Sequence, residues 1–117
     1  MSNLPLRQIA PGVCVAPQLT PAAMAAAAAA GFKSVVNNRP DFEHGPEQST
    51  SAQIEAAASA AGLEYRWLPV QSGFQSPAEI AAFAQLLAEL PRPILVFCRS
   101  GARSTRLYMA ATSATSG

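Results

Sequence analysis

Charged and metal-ligating side chains are scarce in this sequence. Only 13% of the 117 residues are charged, the net charge is +1, and His44 is the single histidine. A surface for nucleic acid or anionic lipid needs summed positive charge, and Lys and Arg cluster nowhere outside the stretch 99–106. Two cysteines, Cys14 and Cys98, are too few for a disulfide scaffold. With one histidine and no cysteine pair at ligand spacing, neither a metal site nor a cofactor is expected. No glycine-rich nucleotide fingerprint occurs. The longest apolar run, Ala22–Ala30, is too short to cross a bilayer, and MSNLPLRQIAPG lacks the parts of a signal peptide. These shortages predict a reduced, cytoplasmic protein with no nucleic-acid and no membrane partner.

What remains is half hydrophobic and long enough for one domain, residues 1–117, with its own core. Strand and helix signals alternate along it. Arg7–Ile9 and Val13–Ala16, parted by Ala10-Pro11-Gly12, read as a hairpin or two short edge strands. Thr20-Pro21 opens an alanine-rich helix that Gly31 closes. Ser34–Asn37 is a β-branched strand, and 38–49 is a long polar loop. Thr50 and Gln53 stand at capping-box spacing before a helix to about Ala61. Leu63–Val70 reads as a strand, with Tyr65 and Trp67 as core or helix-packing residues. Ser76-Pro77-Ala78-Glu79 starts a third helix. The unbroken apolar run Ile94–Phe97 predicts a central strand covered on both faces. A last helix begins near Arg103, and the small, polar tail from about Thr112 is expected to fray. The class is α/β, a three-layer domain with a mostly parallel central sheet and helices on both faces.

In such sheets ligands gather beyond the carboxyl ends of the strands. Three strand ends meet there: Asn37-Asn38-Arg39, Val70-Gln71-Ser72-Gly73, and Cys98. Cys98 ends the buried strand and precedes a tight loop and a helix. Loop amides, the helix dipole, Arg99 and Arg103 all favour a thiolate, a pattern that lowers thiol pKa values to ~3.5–7.5. The same cradle, Arg99-Ser100-Gly101-Ala102-Arg103-Ser104, binds a tetrahedral oxyanion, with Arg103 presenting its fork. Arg99 either steers anions or is a solvated charge, and Ser100 and Ser104 either donate to sulfur or cap the helix. Asn38 and Arg39 either contact substrate or shape their loop, and Asp41, Gln71 and Ser72 complete the candidate cleft. Cys14 lacks all these neighbours and reads as packing.

CRSGARST resembles the active-site loop shared by rhodaneses and cysteine-dependent phosphatases. Together with GFKSVVNNRPDFEHGPEQ, AAGLEYRWLPVQSG and PILVF, it resembles the phosphatase-like domains of beta-lactamase hydrolase-like proteins. That resemblance implies a cysteine-phosphatase-like fold and an activity described as phosphatase or as sulfur transfer. It also implies a persulfide-dioxygenase-like partner, beside which some relatives carry the domain.

Two departures bear on the choice. The phosphatases it resembles place five residues between Cys and Arg, whereas four separate Cys98 from Arg103, as in rhodaneses. Their general acid follows the strand that corresponds to Leu63–Val70, where Gln71-Ser72 stands here. Asp41, Glu43 or His44 would have to swing in from the 38–49 loop instead. The expectation is therefore a sulfurtransferase that carries a persulfide on Cys98 and takes a small anionic sulfur donor. A phosphatase acting on a phosphate ester through a Cys98 phosphocysteine stands second, and a non-catalytic anion-binding module third.

Overall fold

A computed structural model describes residues 4–71 and 73–115. Strands β1 (Arg7–Ala10) and β2 (Val13–Ala16) are followed by α1 (Ala22–Ala29), β3 (Ser34–Asn37), α2 (Ser51–Ala60) and β4 (Glu64–Trp67). Helix α3 (Pro77–Glu89), strand β5 (Ile94–Phe97) and helix α4 (Ala102–Thr115) complete the chain order. The sheet runs β1-β2-β5-β3-β4, antiparallel between β1 and β2 and parallel at the other three pairings.

Strand β5 lies at the middle of this sheet and is fully buried along its length. Its alternate side chains divide between two cores. Ile94 and Val96 join Val13, Val15, Val36, Phe83, Leu87 and Leu107 beneath α3 and α4. Leu95 and Phe97 join Met24, Ala27, Val35, Ile54 and Ala58 beneath α1 and α2. Each fully buried aliphatic side chain is worth about 1.5–3 kcal/mol relative to exposure. The expected three layers are therefore present.

Both capping boxes form. Thr50 Oγ1 accepts from Gln53 N at 3.2 Å while Gln53 Oε1 accepts from Thr50 N at 2.8 Å. Ser76 and Glu79 repeat the exchange at 3.1 and 2.8 Å. The expected Thr20 cap does not form. Pro21 already has helical angles and takes the N-cap position itself, and the Thr20 carbonyl accepts from Ala23 N at 3.0 Å.

Strand β4 is shorter than Leu63–Val70, because β3, its only partner among the described residues, ends at Asn37. Two more bonds continue the ladder irregularly, Leu68 N to Asn37 O and Val70 N to Asn38 O, each 2.9 Å. Tyr65 does pack on a helix, with its hydroxyl 2.7 Å from Ser51 Oγ on α2. Trp67 is not core: it is 43% exposed, and its indole N–H donates to the Arg39 carbonyl at 2.9 Å. Helix α4 continues past Thr112 to Thr115, where fraying was expected. Thr112 Oγ1 donates back to the Tyr108 carbonyl at 2.9 Å, so a small polar residue there is compatible with helix. Among the described residues, no helix is long and apolar enough to cross a membrane.

Candidate active site

Four chain segments meet past the carboxyl ends of the parallel strands. Cys98 N donates to Ala16 O at 3.3 Å and Asn38 N donates to Phe97 O at 2.9 Å, so the turn after β5 is tied to both neighbours. Cys98 is completely buried, and Gly101 N donates to its Sγ at 3.0 Å. The curl that aims this amide at sulfur places Gly101 at φ +93°, a conformation open to glycine and strained for other residues. Ser100 Oγ accepts from Ala102 N, the first residue of α4, at 3.3 Å, which leaves its hydroxyl proton uncommitted.

Burial by itself would push the Cys98 thiol up. It is outweighed by the Ser104 hydroxyl and by the backbone N–H groups of Ser104, Gly101 and Ser100, which hold the thiol below its ordinary value. The Ser104 hydroxyl has a single proton, and it also stands 2.9 Å from Asn38 Oδ1 as donor. Asn38 cannot turn its amide to release that proton, because its Nδ2 donates to Leu68 O at 3.0 Å. Ser104 thus links Asn38 to the Cys98 environment, its hydroxyl lying close enough to sulfur to help lower the thiol.

Arg103 is 4% exposed and lies on the first turn of α4. Its Nη1 donates to the Val70 carbonyl at 2.9 Å and pairs with Glu43 Oε2 at 3.1 Å. Nη2 donates to Glu43 Oε1 at 3.1 Å. These bonds use the end of the guanidinium, and its buried Nε has no partner. A buried donor left unpaired costs ~1–3 kcal/mol unless something fills it. The edge formed by Nε and the second Nη2 proton is the one that grips a tetrahedral oxyanion in a fork. Among the described residues, no group of three or more His, Cys, Asp or Glu side chains is placed to hold a metal ion.

Glu43 also accepts from Arg39 Nε at 2.8 Å, and Arg39 Nη1 donates to Gln18 Oε1 at 3.0 Å. Gln18 N in turn donates to Arg99 O at 3.2 Å. The network thus fastens the loops after β2, β3 and β4 to the one after β5. Partial burial would raise the Glu43 carboxyl. The hydrogen bonds from Arg103 and then Arg39, with their charges, outweigh it and hold the group below the usual carboxylate range. Phe42, next to Glu43, has φ +60°, a strained conformation for a residue with a side chain.

The Cys98 pocket, about 350 Å³, is lined by Cys98, Arg99, Ser100, Ala102, Arg103 and Arg106. Several candidate cleft residues lie elsewhere. Asn38 is buried with its Oδ1 accepting from Ser104 Oγ, and buried Arg39 donates from Nε to Glu43. Asp41 caps α2 by accepting from Ser51 N at 2.7 Å; its short side chain is spent on orphan helix amides. Gln71 lines a separate cavity of about 440 Å³ with Pro40, Pro69, Phe74, Ser76 and Glu79. Ser72 lies outside the described residues. Two contributors were not singled out beforehand. Arg106 follows Arg103 by one helical turn and was legible at that spacing. The Val70 carbonyl leaves no side-chain signal in a sequence.

A strand-ending cysteine in an amide cradle, with a buried arginine beside it, defines a cysteine-phosphatase-like α/β domain. The chain belongs to the phosphatase-like domain family of the beta-lactamase hydrolase-like proteins, whose family profile matches residues 5–115. A Beta-lactamase hydrolase-like protein of Agrobacterium fabrum is 42% identical over 81 residues, covering 69% of this chain and 19% of that protein. The chain thus spans about a fifth of the curated relatives it matches. A "putative phosphatase" from Neisseria meningitidis superposes with TM-score 0.80 at 30% identity, covering 92% of this chain and 74% of that one. A structure from Shewanella putrefaciens, described in the same words, has TM-score 0.79 at 19% identity, covering 94% and 72%; it shows the fold alone. These likenesses favour the phosphatase-like description over the sulfurtransferase expected first.

Proposed function

We propose that the domain is a cysteine-dependent phosphatase that works through a Cys98 phosphocysteine. The observation that carries this reading is the buried sulfur 3.0 Å from the Gly101 amide, in a pocket shared with Arg103, whose buried Nε is unpaired. The thiolate attacks phosphorus, the S–P bond forms, and the ester P–O bond breaks with its electron pair going to the leaving oxygen. The oxyanion rests on the loop amides and the Nε edge of Arg103, which stabilise charge as it develops. Water then attacks phosphorus, the S–P bond breaks and the thiolate returns, with the proton of that water passing to solvent. Glu43, held ionised between two arginines, is a poor proton donor in this arrangement. The reaction therefore favours aryl or acyl phosphates, whose leaving groups need little protonation.

The same observation about Glu43 favours a second reading, sulfur transfer. Here the thiolate attacks a sulfane sulfur, an S–S bond forms and sulfite leaves with the electron pair of the broken S–S bond. An acceptor thiolate then removes the outer sulfur and restores Cys98. In that setting a persulfide-dioxygenase-like domain is the natural partner. Intact-mass measurement after separate incubation with an aryl phosphate and with thiosulfate distinguishes the two. Turnover of the aryl phosphate that Cys98→Ser abolishes supports the phosphatase. One added sulfur on Cys98 from thiosulfate, with the aryl phosphate untouched, overturns it.

A further inference from the structure

Arg99 and Arg106 are exposed and line the Cys98 pocket, one before and one after Arg103. Neither guanidinium has a hydrogen-bond or ion-pair partner among the described residues. The pocket lining contains no carboxylate, and Glu43, the acid bonded to Arg103, is already shared with Arg39. In a chain with eight basic residues in all, three of them surround this one cavity. A single tetrahedral oxyanion is fully served by the loop amides and the Nε edge of Arg103. At about 350 Å³ the pocket is also larger than one such group fills.

We infer that the Cys98 pocket is a two-anion site: one oxyanion rests on Arg103 and the loop amides, and a second anionic group on the same small molecule is held by Arg99 and Arg106. The ligand class is a small metabolite that carries, a few bonds from its reacting group, a further carboxylate or phosphate. A pocket of about 350 Å³ is of the size that holds a small molecule. The inference rests on the reading of Cys98 as a nucleophile toward an anion-bearing substrate. It adds the selectivity, because an uncharged remainder would leave both arginines unpaired. Exposed pairs of this kind are individually modest and screened by salt, so each arginine is expected to be worth roughly two- to five-fold.

The test is protection of Cys98 from the neutral reagent iodoacetamide by two ligands that differ in one carboxylate, methylphosphonate and phosphonoacetate. Neither requires turnover. Phosphonoacetate is expected to half-protect at about a ten-fold lower concentration. Raising salt from about 0.05 to 0.5 M should shrink that ratio, since the Debye length falls steeply over this range. Arg106→Gln should cut the ratio about three-fold, and Arg99→Gln similarly. Equal protection by both ligands overturns the two-anion site and leaves the nucleophile reading intact. A ratio that survives both substitutions unchanged overturns it as well. Protection by neither ligand overturns the cradle itself, and with it both readings.

Discussion

Cys14 lies within β2 and Cys98 just past the end of β2's parallel neighbour β5, and the fold treats them oppositely. Cys14 sits within β2, opposite Leu95 of β5, and partial burial pushes its thiol up. Cys98 is more deeply buried, one residue past the end of β5, and its thiol is held down. Burial alone would order them the other way round. Within a strand, backbone N–H groups are committed to the neighbouring strand. Beyond its end they are free, and the loop turns those of Ser100, Gly101 and Ser104 toward sulfur. The direction of each thiol's shift here follows from position along the strand, not from depth.

The largest test of that contrast is removal of each sulfur. Cys98→Ser is expected to lower turnover by at least ~10³-fold, as for other catalytic nucleophiles, whereas Cys14→Ser leaves kcat/KM within about two-fold. Loss of activity in both variants with folding intact would break the comparison. Next in size is Arg103→Gln, which removes the fork and should cost about 10²–10³ in kcat. Arg103→Lys restores charge without the planar edge and is expected to recover little.

Glu43→Gln should have a smaller effect on rate, about ten-fold, because it frees Arg103 and Arg39 from a shared anchor without removing either. Its effect on pH dependence is more specific. A carboxyl with a depressed folded-state pKa adds stability above its unfolded pKa, and that contribution fades as pH falls through the folded value. Urea midpoints of the wild type should therefore drop more between about pH 7 and pH 3 than those of Glu43→Gln. An identical drop in both proteins would show that the ion pairs contribute nothing.

The smallest effect concerns Ser104→Ala, expected to slow turnover only a few-fold. It should nevertheless raise the pH midpoint of Cys98 alkylation. In the wild type that midpoint should lie below the ordinary thiol value of ~8.5 and the Cys14 midpoint above it. A Cys98 midpoint at or above that of Cys14 would remove the distinction on which the active-site reading rests.

Much of this was legible in the residues. The run Ile94–Phe97 could be buried on both faces only as a central strand, and it is one. The two capping-box spacings each produced the helix start they encode, because the bonds involved are local. Cys98, Arg103 and Gly101 were likewise readable, since the cradle is a contiguous loop. Partnerships across the sheet were not. Asp41 and Glu43 are two residues apart in one loop, yet the first caps α2 and the second reaches Arg103. Their assignment depends on how that loop folds, with Phe42 at φ +60° between them. Thr20-Pro21 misled for a local reason: Pro21 reached helical angles as the cap residue itself.

By itself, then, the sequence determined the strand–helix alternation, the buried strand and the nucleophilic loop, because each is set by periodicity, propensity and bonds within a few residues. Only the tertiary structure decided which carboxylate holds Arg103 and which edge of its guanidinium stays free. Those facts depend on distances between segments far apart in the chain, such as the 60 residues from Glu43 to Arg103. Strand order and loop path set them, and no local pattern carries that information.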